Sequence, residues 1–341
     1  MYINYSHMNC KKKIIYFFIY AVLINGITLF AAYCKGIQFD DMALSYRIKY
    51  IFFGGMLGMI MPFFGCLLEK DKHSLSAKNL YTKRLINDVR KYFSYATYSA
   101  RSDLKSEVAN SYLDWLWWLI EPFCTMLIYT LIFGVVFQAS EPFFPIFIFI
   151  GITMWGFFAR SISGSVNMVR MNREIVTKVY IPKYILLLSK MLVNGFKALV
   201  SFGIVVLMMV VFQVKLTVNI LWAFPVFLIL FLFTFGMGIL TMHYGVYVSD
   251  LGYITGIVLN MLMYLTGTFY SVAKRIPEPF GVLLEKCNPI AFLISTMRDV
   301  LLYGKAPDFE MISVWTVISV VLIALGTLTV YKNENAYVKV L

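Results

Sequence analysis

Long apolar runs dominate this chain, and polar or basic segments separate most of them. A bilayer core about 30 Å thick requires about 20 apolar residues in a helix, because lipid offers the backbone no hydrogen-bond partner. Eight runs qualify, at residues 14–34, 50–68, 113–137, 143–163, 184–212, 220–247, 252–272 and 311–331. The pattern predicts an all-α membrane protein with eight transmembrane helices.

These runs divide the chain into three parts. Residues 1–75 form an N-terminal extension with two predicted transmembrane helices, the first of them uncleaved because its apolar run is too long for a signal peptide. Residues 76–112 place apolar side chains at helical spacing with basic side chains between them, which predicts an amphipathic helix in the membrane interface. A solvated charged linker is the alternative for that segment. Residues 113–341 form a core of six spans.

Basic residues set the predicted orientation, because Lys and Arg near span ends are retained in the cytoplasm. Residues 69–112 are rich in them, whereas residues 138–142 have none, so both termini are predicted to be cytoplasmic. Residues 273–310 conflict with this pattern, since they are predicted to lie outside and yet contain Lys274, Arg275, Lys286, Arg298 and Lys305. Pro277, Pro279 and Pro289 break up a half-apolar run at residues 280–302 that is too short to cross twice, so we expect helices that enter the membrane and return on the same side.

Composition then narrows the class of protein. Apolar residues make up 60% of the chain and charged residues only 14%, which excludes a soluble enzyme, because soluble domains are about 25% charged. The net charge of +12 comes mostly from segments between apolar runs, so we expect no binding to nucleic acid. The five cysteines and three histidines lack the spacing of a metal or redox site. A phosphate-binding Gly-x-x-x-x-Gly-Lys-Ser/Thr loop is also absent from the sequence.

Two sequence blocks flank the first pair of core spans. Residues 101–122 read RSDLKSEVANSYLDWLWWLIEP, a basic helix followed by a small polar turn and a proline entering the span. Residues 155–183 read WGFFARSISGSVNMVRMNREIVTKVYIPK, an aromatic span end followed by a basic loop that finishes in Pro-Lys.

Two further blocks follow in the second half of the core. Ser249 and Asp250 precede a span, and before the last span come Asn288 with Pro289, then Arg298, then GKAP at residues 304–307. The four blocks in this order resemble the permease subunits of type-2 ABC exporters, and within them those that export O-antigen, capsule or teichoic acid. Two departures from the family pattern are a missing Arg before Asp250 and a missing Pro after Ser271.

This resemblance implies a six-span type-2 ABC exporter core with an amphipathic interface helix and re-entrant outer helices, to which two N-terminal spans are added. It implies that two copies of this chain and two nucleotide-binding ATPase subunits move a lipid-linked polysaccharide from the cytoplasm to the outer face. The chain is then a transport subunit of the inner or plasma membrane without a cofactor of its own, and ATP and magnesium bind to the partner. The resemblance also implies a coupling helix that docks on that partner, with candidate residues Asn172, Arg173, Glu174, Lys178, Tyr180 and Pro182.

A path for a glycan needs walls compatible with sugar, and aromatic rings supply them, because sugar C–H faces stack on rings. The candidates for such walls are Tyr129, Phe133, Phe137, Phe144, Trp155, Tyr264 and Tyr270. Packing between helices, contact with lipid and interfacial belts are the alternative roles for these rings. Basic side chains near span ends could hold the anionic head group of the lipid carrier or simply anchor a helix, and the candidates are Arg160, Lys190 and Lys197.

Two other functions remain open at this point. Export of a drug, lipid or peptide by a type-2 ABC exporter is the first. A membrane-embedded glycosyl- or acyltransferase is the second, and it would require acidic residues such as Asp114, Glu121 and Asp250 to converge on one cavity.

Overall fold

The structure is a computed structural model that describes residues 75–109, 112, 114–136, 141–277 and 280–340. The predicted N-terminal extension, its spans at residues 14–34 and 50–68, and the candidate Phe137 lie outside the described residues. All contacts discussed below are made within Tyr81–Leu341, which forms one compact unit.

Every regular element of the described chain is helical. In chain order the α-helices are α1 (Leu75–Val108), α2 (Trp117–Tyr129), α3 (Phe144–Val166), α4 (Met168–Met171), α5 (Arg173–Lys178), α6 (Lys183–Val211), α7 (Ala223–Tyr247), α8 (Leu251–Leu265), α9 (Val272–Arg275), α10 (Phe280–Cys287), α11 (Pro289–Leu301) and α12 (Phe309–Val340). Helix α2 continues as a wider π-helix over Thr130–Val136, and a 3₁₀ turn over Val218–Trp222 precedes α7.

Five helical segments of the described chain are long and apolar enough to cross a membrane: Trp117–Val136, Phe144–Val166, Lys183–Val211, Val218–Tyr247 and Phe309–Glu334. Each coincides with a span predicted from the sequence. The all-α fold class is therefore confirmed, and the interface segment preceding these spans is helical as predicted.

The span predicted at residues 252–272 is wrong at its C-terminal boundary. Helix α8 ends at Leu265, and its 15 residues rise only about 22 Å at 1.5 Å per residue. Gly267, with a φ of 65°, turns the chain out of the helix two residues later. The apolar composition of the segment did not reveal this turn.

Helix α7 lies at the centre of the bundle and packs against α3, α11 and α12. Small residues allow backbones to approach closely in helix pairs of this kind. At Gly236 of α7 an added Cβ would lie 2.8 Å from the Cβ of Leu322 on α12, so only glycine fits this crossing. The core of the molecule is thus built around α7.

Successive spans define two ends of the bundle. We call the end that carries α4 and α5 the coupling end, because the candidate coupling residues lie there. Helix α3 runs toward this end and α6 runs away from it. The opposite end carries the start of α3, the turn before α7 and the residues that follow α8.

Helices α10 and α11 form a bent pair at the opposite end, with 99° between them. Asn288 stands at the bend, and its Oδ1 accepts hydrogen bonds from the backbone N–H groups of Ile290 and Ala291, which caps α11. Glu141, just before α3, contacts residues on both sides of the pair, namely Lys274 at 2.6 Å and Tyr303 at 3.4 Å. The chain therefore enters and leaves the pair at one end, which is the re-entrant geometry expected for residues 273–310.

Candidate functional site

The coupling segment, residues 168–182, presents a mixed charged and apolar surface at the coupling end. Arg173, Glu174 and Lys178 are exposed on α5, and Glu174 and Lys178 form an ion pair at 3.7 Å. Two apolar side chains are exposed beside them, Met171 at 80% and Val179 at 55%. An exposed helix with apolar neighbours offers a surface on which another protein can dock.

Other residues of the segment attach it to the bundle. Asn172 donates from Nδ2 to the carbonyl of Met168 at 2.8 Å, which fixes the turn between α4 and α5. Val176 and Pro182 are buried. Arg170 donates to the carbonyl of Val246 at the end of α7 at 3.1 Å. The structure therefore places Arg173, Glu174 and Lys178 outward, whereas Asn172 and Pro182 hold the segment in place.

Tyr180 connects the coupling segment to two other elements. Its hydroxyl donates to Glu334 of α12 at 3.1 Å and accepts a hydrogen bond from Arg84 of α1. Arg84 also pairs with Glu334 at 2.9 Å. Burial raises the pKa of the Tyr180 hydroxyl, so the group stays protonated at neutral pH and keeps its donor. We call Arg84, Tyr180 and Glu334 the Tyr180 triad.

The basic candidates on α6 meet a partner that sequence reasoning missed. Glu107, near the end of α1, forms ion pairs with both Lys190, at 3.7 Å, and Lys197. The two lysines thus hold the interface helix against α6. Arg160 on α3 is exposed and makes no ion pair or hydrogen bond within the described part of the chain.

Four aromatic rings lie close together where α2 approaches the opposite end of the bundle. Phe269, in the turn after α8, is buried, and its ring centroid lies 4.5 Å from Tyr129, 4.8 Å from Phe133 and 6.0 Å from Tyr264. Tyr270 follows in the chain and donates to the carbonyl of Tyr264 at 2.7 Å. We call Tyr129, Phe133, Tyr264 and Phe269 the aromatic cluster.

The remaining described candidates lie elsewhere. Phe144 is buried at the start of α3 and stacks on Phe147 at 6.2 Å, and Trp155 is buried farther along α3 beside Phe158 at 5.6 Å. Both rings pack inside this chain, whereas Tyr264 is 57% exposed. The predicted role of Phe144 and Trp155 as channel walls remains a prediction.

Arg298 is a further residue whose role the sequence did not reveal, although it belongs to one of the four blocks. It is buried on α11, and its Nε, Nη1 and Nη2 atoms donate to the carbonyls of Phe147, Gly267 and Thr268 at 3.1, 2.8 and 2.7 Å. Its guanidinium also lies 3.5 Å from the centroid of the Phe147 ring. A buried Arg of this kind fixes three segments relative to one another.

A family comparison covers most of the described bundle. Residues 98–302, more than half of the chain, match the model of a family described as ABC-2 type transporter. The chain belongs to the ABC-2 type transporter family. This confirms the resemblance identified from the four sequence blocks and makes the chain a multi-pass transport subunit of the inner membrane, a class that works with an ATP-binding subunit.

Individual relatives of this ABC-2 transporter share most of its length. A protein of Klebsiella pneumoniae named O-antigen export system permease protein RfbA is 26% identical over 240 residues, which cover 70% of this chain and 92% of that protein. A protein of Myxococcus xanthus with the same name is 25% identical over 240 residues, with the same shares covered.

Proposed function

We propose that this ABC-2 transporter is the permease subunit of an ATP-driven exporter that moves a lipid-linked polysaccharide of the O-antigen type across the inner membrane. The similarity to O-antigen export permeases over 92% of their length carries this proposal. Because the shared length includes nearly the whole of each relative, it covers a complete permease and not a single motif. A drug or peptide exporter finds no comparable support.

In this proposal the coupling segment docks on a separate ATP-binding subunit. Arg173, Glu174 and Lys178 face outward, and Met171 and Val179 give the same surface an apolar part. The basic side chains suit an acidic groove of the partner. Closure of two ATP-bound partners would push on α5, and the Tyr180 triad would pass this movement to α1 and α12. ATP and magnesium would bind to the partner alone.

The path for the glycan runs, in this proposal, between two copies of the chain. Helix α2 and its π-helical continuation bury little within one copy, and large apolar side chains such as Leu127, Leu131 and Val135 are exposed. The half-buried rings of Tyr129 and Phe133 lie on this same helix. A second copy facing α2 would enclose a path with aromatic walls, and the coupling end would face the cytoplasm together with both termini.

Arg160 is the proposed first contact for the pyrophosphate of the lipid carrier. Its side chain is exposed on α3 and has no acidic partner in the described ranges. Lys190 and Lys197, by contrast, already neutralise Glu107. They would join Arg160 only after the interface helix releases them.

Deletion of the gene tests the proposal in the cell of origin. We expect surface polysaccharide to disappear and its lipid-linked form to accumulate on the cytoplasmic side, and a plasmid copy to restore export. Surface polymer would be quantified by immunoblot and the lipid-linked form by mass spectrometry. An unchanged amount of surface polysaccharide would contradict the proposal.

A further inference from the structure

A cavity of about 150 Å³ lies at the opposite end of the bundle, close to the aromatic cluster. Its walls come from the turn after α8, from α9, α10 and one face of α11, from the residues that follow α11, and from Phe147 of α3. Buried Phe147 lines its inner part, and exposed Lys274 and Lys305 stand at its mouth. A cavity of this volume accommodates one six-membered ring.

The face of α11 that borders the cavity carries two partly accessible polar side chains in addition to the buried Arg298. Ser295 and Asp299 are four residues apart, so they lie on the same side of the helix. They are partly accessible, whereas every other side chain from residue 290 to 301 is buried. Of the α11 residues that line the cavity, Ser295 and Asp299 are therefore the two that keep accessible surface, whereas Ala291 and Arg298 are buried.

Three groups that line the cavity have unused hydrogen-bonding capacity. The carboxylates of Asp299 and Glu285 and the hydroxyl of Ser295 all line it. None of them forms a side-chain hydrogen bond, or an ion pair within 4 Å, to any other described residue. A half-buried carboxylate without a donor is costly, so the cavity favours a ligand that supplies several O–H or N–H donors.

The basic side chains of the cavity are largely occupied, which argues against a phosphate as the ligand. Lys274 pairs with Glu141 at 2.6 Å, and Arg298 donates from all three of its nitrogens to backbone carbonyls. Lys305 remains, and its ammonium lies 5.8 Å from the centroid of the Tyr303 ring. One available cation beside two available carboxylates suits a neutral, donor-rich ligand better than an anion.

Aromatic rings complete the site. Tyr270 and Tyr303 line the cavity together with Phe147, and such rings pack well against the C–H faces of a sugar. Tyr270 also follows Phe269 of the aromatic cluster directly in the chain. The cavity therefore borders the turn that also carries Phe269 of the aromatic cluster.

We propose that this cavity binds one neutral sugar residue of the exported glycan, held by Asp299, Glu285 and Ser295 and packed against Tyr270 and Tyr303. The proposal rests on the proposed function and extends it by placing a sugar subsite at the end opposite the coupling segment. A sugar held there would keep a partly exported chain from sliding back between cycles of the ATP-binding subunit.

Binding of simple glycosides to the full chain in lipid nanodiscs tests the site. The probes are the methyl glycosides of glucose, galactose, mannose, rhamnose and N-acetylglucosamine, with methyl phosphate as the anionic probe, and binding is measured by saturation-transfer NMR. At least one glycoside should bind saturably. Asp299→Asn, which loses the charged acceptor, and Ser295→Leu, which fills the cavity, should each weaken that binding at least tenfold.

Asp308→Asn is the matched control, because Asp308 is exposed, lies outside the cavity lining and pairs with Lys286. It should leave glycoside binding unchanged, and thermal unfolding confirms that each variant is folded. Absence of binding by every glycoside, equal affinity in Asp299→Asn, or saturable binding of methyl phosphate in place of glycosides would each overturn the sugar site.

Gene deletion separates this proposal from the proposed function. If deletion abolishes surface polysaccharide but no glycoside binds, only the sugar site fails. If deletion leaves surface polysaccharide intact, the proposed function fails, and any glycoside binding then belongs to a sugar from another source.

Discussion

Arg298 and Gly151 together fix the turn after α8 against the bundle. Arg298 satisfies the carbonyls of Phe147, Gly267 and Thr268 from a buried position. Gly151 makes room for this contact, since an added Cβ there would lie 2.5 Å from both Nη2 of Arg298 and the carbonyl oxygen of Thr268. The turn carries Phe269 and Tyr270. Arg298 and Gly151 therefore support the aromatic end of the proposed path from the side of the bundle.

Arg298→Lys should destabilise the protein. An ammonium group cannot reach three carbonyls that a planar guanidinium contacts, and each lost bond to a charged donor costs about 1.5–3 kcal/mol. We expect a clear drop in the thermal unfolding midpoint in detergent. Arg275→Lys is the control, because Arg275 is exposed. Equal midpoints for the two variants would refute the role assigned to Arg298.

Gly151→Ala should also lower the unfolding midpoint, because the new methyl group would collide with the Thr268 backbone, which cannot move away as a flexible side chain would. Gly164→Ala on the same helix has no atom within 4 Å of the added Cβ. It should be neutral or stabilising by up to about 1 kcal/mol, since alanine is the better helix former. A Gly151→Ala variant as stable as Gly164→Ala would show that the contact is loose.

The sequence alone could not predict which side chains far apart in the chain contact each other. Lys190 and Lys197 stand out as basic residues in an apolar helix, but nothing local indicates that Glu107 neutralises them. Tyr129 and Phe133 are predictable as neighbours on one helical face, and both contact Phe269. That Phe269 would lie between them depends on the turn at Gly267, which Arg298 holds.

At the scale of elements, polar contacts attach the interface helix α1 to the bundle in two regions, the first around Arg84 and Asp88 and the second at Glu107. Arg84 joins the Tyr180 triad, and Glu107 pairs with Lys190 and Lys197 about six turns later. The first region connects α1 to the coupling segment and α12, and the second connects α1 to α6. Movement of α1 is therefore linked to the segment on which we expect the ATP-binding subunit to dock.

Glu107→Gln should loosen the C-terminal end of α1 with little effect on global stability. Partly exposed ion pairs contribute about 0–1 kcal/mol, so the unfolding midpoint should hardly change. Hydrogen exchange over residues 101–109 should become faster. Asp103→Asn, one turn earlier on α1 and without an ion pair in the described part of the chain, should leave exchange as it was. Unaltered exchange in Glu107→Gln would argue against attachment at this end.

Tyr180→Phe should separate ATP hydrolysis from transport. The substitution removes the hydroxyl that contacts Arg84 and Glu334 but keeps the ring, so the ATP-binding subunit should still dock and hydrolyse ATP. Export of surface polysaccharide should fall several-fold in cells that carry the variant. Tyr98→Phe on α1, whose ring is 75% exposed, serves as the control. Parallel loss of hydrolysis and export would indicate a structural role only.

The positions of the helices along the chain were largely predictable, because an apolar run of bilayer length has few alternatives to a transmembrane helix. All five long spans of the described chain and the helical interface segment follow from the sequence. The prolines and charges of residues 273–310 were sufficient to predict that helices there enter the membrane and return. The bend angle of the pair and the early end of α8 were not predictable, because Glu141, just before α3, contacts residues on both sides of the pair, and Arg298 of α11 binds the turn after α8.

At the scale of the whole molecule, the two ends of the bundle differ in chemistry. The coupling end presents an exposed charged helix connected to α1 and α12, and the opposite end presents aromatic rings and a polar cavity. This polarity fits a permease that receives force at one end and releases a sugar polymer at the other. In the proposed function, a partner subunit supplies ATP hydrolysis to this chain, whose sequence has no phosphate-binding loop.

Transport in proteoliposomes tests this account most directly. The chain would be reconstituted with the ATP-binding subunit of the same cell and with the cell's own lipid-linked polysaccharide, and glycan reaching the far leaflet would be measured with a membrane-impermeant lectin. We predict transport that requires both ATP and the ATP-binding subunit, with no ATP hydrolysis by the chain alone. Transport without that subunit, or hydrolysis by the chain alone, would contradict the account.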